Sequence, residues 1–394
     1  MALPSRINLN SQYLFCMAAL CFLSCISLES GGHIQNITEP ACPEVCSCTL
    51  QGLVNCSYRN LTSIPDKNKL PVDSSVYLLQ DNSISVLSSN SFNTTPNLTF
   101  LDFYQNKLIY IDDNAFAGLG RLQVLNISYQ FLDHHIIPIQ KISRNWFKGL
   151  TQLTVAKLMV IGAEVIEDYA FSDNPNIEEI NLSSNNLVDI PGHLFQHLPK
   201  LKIIQVCCNR LTEIDGEPFF GSNHVEEIQL YTNSINKLHE NAFKNMKNIS
   251  LINLNANQLT SDNIPCQTFR GLRRLTKLYL YNNKLKTIKK EWFQDLTSLE
   301  EFHADDNSVT TLDDNVFKNC LNLKEIDLSY NFIVEIPRKV FSGLPNLLNV
   351  ICSHNRIDNI GDDSFQGSSH IIKLNFDAGS SLLTSDHTCT IWMK

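Results

Sequence analysis

Residues 275–285 read "LTKLYLYNNKL", and the same phrase returns along most of the chain. "LTFLDFYQNKL" (98–108), "IEEINLSSNNL" (177–187) and "LKEIDLSYNFI" (323–333) all fit L-x-x-L-x-L-x-x-N-x-L. The ninth position is Asn82, Asn106, Asn185, Asn209, Asn233, Asn257, Asn283, Asn307, Asn331 and Asn355, almost always at a spacing of twenty-four. Gln130, Ile161 and Gly379 fill it in three irregular copies, which makes thirteen repeats. Such a period signals a solenoid, in which each repeat covers its neighbour's apolar surface.

A second column supports the first. Ten residues after most ninth positions stands a phenylalanine: Phe92, Phe116, Phe171, Phe195, Phe219, Phe243, Phe293, Phe317, Phe341 and Phe365. Phe147 and Phe269 belong to two lengthened repeats. Positions 1, 4, 6 and 11 are apolar and are expected to point inward, with a short strand ending near position 6. Stacked strands about 4.8 Å apart give a parallel sheet on one wall. The phenylalanines fill the opposite, wider wall, so the coil should curve with the sheet on its concave face. The expected fold is an α/β solenoid, mostly β. A buried Asn amide in each coil can satisfy backbone groups of its neighbours that would otherwise be orphaned.

These repeats, and the run "CPEVCSCTLQGLVNC" (Cys42–Cys56) followed by "LTSIP" (61–65), resemble extracellular leucine-rich-repeat proteins of the Toll-like-receptor-ectodomain and Slit-like type. The resemblance covers residues 42 to about 379 and implies a curved horseshoe with a cysteine-rich N-terminal cap. It also implies the pairing Cys42–Cys48 and Cys46–Cys56. The cysteine spacing alone would also suit zinc; the secretory reading of the N-terminus favours disulfides.

That reading rests on Tyr13 to Leu28, an apolar run after Arg6 and before the small residues of "LESGG". It reads as a cleaved secretory signal, with a signal anchor as the competing reading. The expected organisation is a signal peptide at 1–30, a linker and cap at 31–65, repeats at 66–379, and a tail at 380–394 without a recognisable cap. The expected location is outside the cell, with no membrane span in the mature chain. Eight Asn-x-Ser/Thr sequons suit the same compartment: Asn36, Asn55, Asn60, Asn93, Asn97, Asn126, Asn181 and Asn248. A net charge of −9 argues against nucleic acid as a partner.

Departures from the pattern are the better functional clues. One repeat is lengthened within "LDHHIIPIQKIS" (132–143), between the irregular slots Gln130 and Ile161. Those slots read as two adjacent breaks in the Asn column, with a bend or protruding loop. His134 and His135 in it read as loop surface rather than metal ligands. At the C-terminus, Cys389 and Trp392 stand where relatives carry a fuller cap. The last coil is therefore expected to be covered by the tail, to pair with another chain as a homo- or heterodimer through its edge or Cys389, or to mark a truncation.

Positions 3, 5, 7 and 8 are expected to face out of the sheet. Two zones there are candidate ligand-binding surfaces. One is Tyr231, Tyr279 and Tyr281 with His303, Asp305 and Asp306, since stiff amphipathic tyrosines often anchor protein interfaces. The other is Met159 with Val160. No catalytic constellation, metal site or cofactor motif appears. The expected function is therefore a secreted binding protein for a protein ligand, in innate-immune recognition or in cell-surface adhesion or guidance. An extracellular-matrix component and a truncated receptor ectodomain are the alternatives. Cys207 and Cys208 hold positions 7 and 8, open to three readings: a vicinal disulfide, two rim thiols, or an anchor for another chain. Cys320 and Cys352 read as buried hydrophobes.

Overall fold

A computed structural model describes residues 42–132, 135–136 and 139–376. The signal segment, Asn36, His134, Gly379, Cys389 and Trp392 lie outside the described residues. The described chain is a β-solenoid built on a fifteen-stranded sheet. Ser47–Cys48 and Leu53–Asn55 open it as an antiparallel pair. Thirteen strands follow in parallel, one per repeat, from Val76–Leu78 to Lys373–Asn375. The register is constant: Tyr279, for example, lies opposite His303, and His303 opposite Asp327. Among the described residues helix is limited to short 3-10 turns such as Arg144–Trp146 and Lys290–Phe293.

The core runs the length of the coil. Inward positions such as Leu278, Leu280, Leu285 and Leu275 are fully buried. Behind them the phenylalanines form a stacked spine. Phe219 lies 5.8 Å from Phe195 and 6.4 Å from Phe243 between ring centroids. Phe317 lies 6.1 Å from Phe341. Cys320 and Cys352 are buried in this core, as their positions required. Outside it, short two-stranded pairs such as Glu213–Ile214 with Lys237–Leu238 tie successive coils together.

The asparagine column works as a polar ladder. Asn106 Nδ2 donates to Leu79 O in the preceding coil and to Phe103 O in its own, at 2.9 and 3.1 Å. Its Oδ1 accepts from Ile84 N at 3.0 Å. The expected double break is a single one, because Gln130 keeps the ladder. Its Nε2 donates to Phe103 O and Ile127 O, and its Oε1 accepts from Leu108 N. One extra methylene does not prevent the amide from reaching the same carbonyls. Among the described residues only Ile161, fully buried, interrupts the ladder. Directly after Gln130 the chain forms a small hairpin, Phe131–Leu132 paired antiparallel with His135–Ile136. The expected loop is thus a strand pair at its base.

The N-terminal cap has the pairing that the resemblance implied, Cys42–Cys48 and Cys46–Cys56. Both bridges close short loops beside the first strands, where the core would otherwise meet water. At the other end Phe376 is buried, while Ile372 is exposed.

Candidate functional site

Each coil ends its strand at position 5 and turns at position 8, where non-glycine residues take the left-handed conformation. Cys208, Thr232, Ala256, Asn282 and Asp306 all have φ between 51° and 57°. This turn tucks position 7 toward the next coil. Column 7 is consequently less open than the alternation suggested: Ser128, Ser183, Cys207, Asn255 and Ser329 are buried, and Tyr231, Tyr281 and Asp305 are half-buried. Position 5 behaves similarly, with Tyr279, His303 and Asp327 half-buried.

The tyrosine zone is brought together in part. Tyr279 lies 6.5 Å from Tyr281 and 5.0 Å from the His303 ring. Its hydroxyl donates to Glu301 Oε2 at 2.6 Å, and Lys277 Nζ pairs with the other oxygen of that carboxylate at 2.9 Å. Burial first, and that hydrogen bond second, push the Tyr279 phenol upward. Asp305 is pushed up to about 6, mainly by burial and then by the charge of Asp327. His303 Nε2 comes 3.2 Å from Glu325 Oε1 but without hydrogen-bond geometry. Tyr231 stands two coils from Tyr281, with Asn255 at position 7 between them; burial and Cys207 raise its phenol. Met159 is half-buried beside Ser128, whose Oγ accepts from Met159 N at 3.2 Å.

A second aromatic cluster escaped the sequence reading. Tyr104 packs 5.0 Å from Tyr129, which lies 6.1 Å from Phe131. Beside it Asp102 is pushed up to about 6 by burial, against hydrogen bonds from Tyr104 N and Asn126 Nδ2. The signal was present, as aromatics at positions 7, 8 and 10 of successive coils, but they fell in different columns. Two sequons lie on this sheet face with occupied amides: Asn126 Nδ2 on Asp102, and Asn181 Nδ2 on Gln205 Oε1. A glycan at either would replace one of the two hydrogens of an amide that already donates a bond. Asn60 and Asn93 are exposed.

Cys207 and Cys208 are both free thiols, which leaves the vicinal-disulfide reading without support here. Cys207 is buried and its Sγ lies 3.1 Å from Ser183 Oγ. A hydrogen bond from Cys208 holds the Cys207 thiol down, and the same contact drives Cys208 up. Losing one proton therefore opposes losing the second. Cys266 is exposed, while burial pushes Cys320 up to about 12. Iodoacetamide on the native reduced protein should rapidly label Cys266 and one thiol of the 207/208 pair, leaving Cys320 and Cys352 unmodified until denaturation. Peptide mapping checks this; labelling of Cys320 at the rate of Cys266 would contradict it.

Comparisons with known proteins agree with this architecture. A leucine rich repeat model matches residues 78–130, 162–205 and 199–259. A BspA type leucine rich repeat region matches residues 262–386 in six copies. Among curated proteins, the chain is 30% identical over 119 residues to leucine-rich repeat-containing G-protein coupled receptor 5A of Xenopus laevis. It is 27% identical over 119 residues to Toll-like receptor 3 of Bos taurus. The first match covers 30% of this chain and the second 28%, and each spans 12% of the relative's length. Among solved structures, a Leptospira interrogans protein of this repeat type superposes with a TM-score of 0.62 at 21% identity, over 73% of this chain and 68% of that one. The glycosylated Toll–Spatzle complex of Drosophila gives 0.65 at 20% identity, over 77% and 44%.

Proposed function

Because this chain belongs to the leucine-rich-repeat proteins, we propose that it is a secreted binding protein that holds a protein ligand on its concave face. The carrying observation is the cluster of Tyr279, Tyr281 and His303, half-buried rings brought together from adjacent coils of one sheet face. Rings already packed against their neighbours lose little conformational entropy when a partner covers them. The solved Toll structure is a complex with Spatzle, which supports reading this fold as a protein-binding scaffold. Secretion is supported by the apolar Tyr13–Leu28 run and the two cap disulfides. In this reading the exposed sequons Asn60 and Asn93 carry glycan and the tyrosine zone stays uncovered.

The test is a triple substitution. Ligand is first captured from extracellular fluid by crosslinking to the wild-type protein. Replacing Tyr231, Tyr279 and Tyr281 together with Ala should then weaken binding by about thirtyfold or more. The melting curve should stay close to wild type, since the three side chains stand outside the core. Unchanged affinity in the folded variant would remove the tyrosine zone from the interface.

A further inference from the structure

We propose that Asn248 carries an N-linked glycan whose first sugars lie in a groove on the flank of the coil, against Arg274. The inference rests on the secretory part of the reading above and goes beyond it, by singling out one sequon and giving its sugar a seat. In the transfer step the Asn248 amide nitrogen attacks the anomeric carbon of a lipid-diphosphate-linked oligosaccharide. A C–N bond forms and the C–O bond to the diphosphate breaks. The amide gives up one proton, and the lipid diphosphate leaves with the bonding electrons.

The amide is the first observation. The residue before position 1 is asparagine in five coils: Asn97, Asn176, Asn248, Asn322 and Asn346. Four of these amides hold the coil before. Asn97 Nδ2 donates to Val72 O at 3.3 Å, Asn176 to Thr151 O at 2.8 Å, Asn322 to Thr297 O at 2.9 Å and Asn346 to Leu321 O at 2.9 Å. Asn248 differs. Its Oδ1 accepts from Arg274 Nη1 of the next coil at 2.8 Å, and its Nδ2 has no partner among the described residues. The clasp on the oxygen fixes the amide plane, and the nitrogen breaks no bond in taking a sugar. Asn97, also a sequon with an arginine on its oxygen, commits its nitrogen to Val72.

The second observation is the space beside that nitrogen. Asn248 lines an open groove of about 370 Å³ with Glu226, Ser250, Arg274, Thr276 and Ser298. Every lining side chain is polar: an acid, a base, an amide and three hydroxyls. Glu226 and Arg274 are exposed, and neither forms a salt bridge among the described residues. Donors and acceptors thus alternate along the groove, which suits a sugar, whose hydroxyls both donate and accept. An apolar ligand would leave them unpaired. Open polar contacts of this kind hold a free sugar weakly, but a covalent link at Asn248 raises its local concentration to roughly the millimolar range. The groove lies at the start of the strands Glu227–Gln229, Leu251–Asn253 and Lys277–Tyr279, whereas Tyr281 lies past the end of the last. A glycan seated there borders the tyrosine zone.

The test uses the full chain expressed in cultured animal cells. Peptide N-glycosidase F turns each glycosylated Asn into Asp, so peptide mapping before and after treatment reads every sequon separately. Asn248 should be converted. Its glycan should be released about tenfold more slowly from the native protein than from the denatured one, the protection expected of one or two bonds to a charged group. Arg274→Met, an exposed substitution that leaves the core intact, should remove that protection. Arg121→Met, the equivalent change beside Asn97, should leave release at Asn248 unchanged. Glycan at other sequons with none at Asn248 overturns the proposal and leaves the secretory reading standing. Glycan at no sequon removes both. Release at equal rates from native and denatured protein, or protection that survives Arg274→Met, overturns the seat.

Discussion

Replacing Phe219 with Ala should lower stability by about 3–5 kcal/mol, the cost of a large cavity in a close-packed core. Phe219 is 1% exposed and sits between Phe195 and Phe243 in the spine. Its removal takes away both ring contacts and leaves a hole lined by neighbours that cannot all move inward, because each is fixed by its own coil. Phe365, half-buried near the end of the described spine, has one such neighbour, Phe341 at 5.3 Å. Its replacement by Ala should cost less than half as much. Urea denaturation of the two variants checks the order. Equal losses would mean that the spine does not stabilise as a continuous stack.

The ladder gives the second large effect. Asn257→Ala should cost about 2–4 kcal/mol, the sum of several buried backbone groups left unpaired at about 1–3 kcal/mol each. Asn257 Nδ2 donates to Leu230 O at 3.1 Å and Leu254 O at 3.0 Å, and its Oδ1 accepts from Ile235 N at 3.0 Å. Two of those three partners belong to the preceding coil, so the damage should be shared between coils. Hydrogen exchange should accelerate first at Ile235 and its neighbours, with distant coils such as that of Leu101 spared. A loss below about 0.5 kcal/mol would mean that water or a shifted backbone replaces the amide. Gln130→Ala should behave like Asn257→Ala, since Gln130 makes the same set of bonds.

Most of the architecture was legible because it depends on periodicity. Inward leucines, the Phe column and the Asn column all repeat, and repetition identifies them without coordinates. The cap pairing came through the resemblance to known repeats and matches the structure. What was missed depends on side-chain reach and on relations between coils. Gln130 looked like a break because residue type was weighed before reach. Column 7 looked open because strict alternation was extended past the end of each strand, into the left-handed turn. The Tyr104–Tyr129–Phe131 cluster spans three positions in two coils, so no single column displayed it.

The constant parallel register also has a mechanical consequence. Each coil occupies about 4.8 Å along the stack, yet a repeat of twenty-four residues pulled straight spans roughly 80 Å. Coils are bonded to their neighbours and not to distant partners, so tension on the chain ends would release them one at a time. The scaffold is in that sense a spool: a compact column that can pay out many times its own height under load, with the cap disulfides setting where the thread stops.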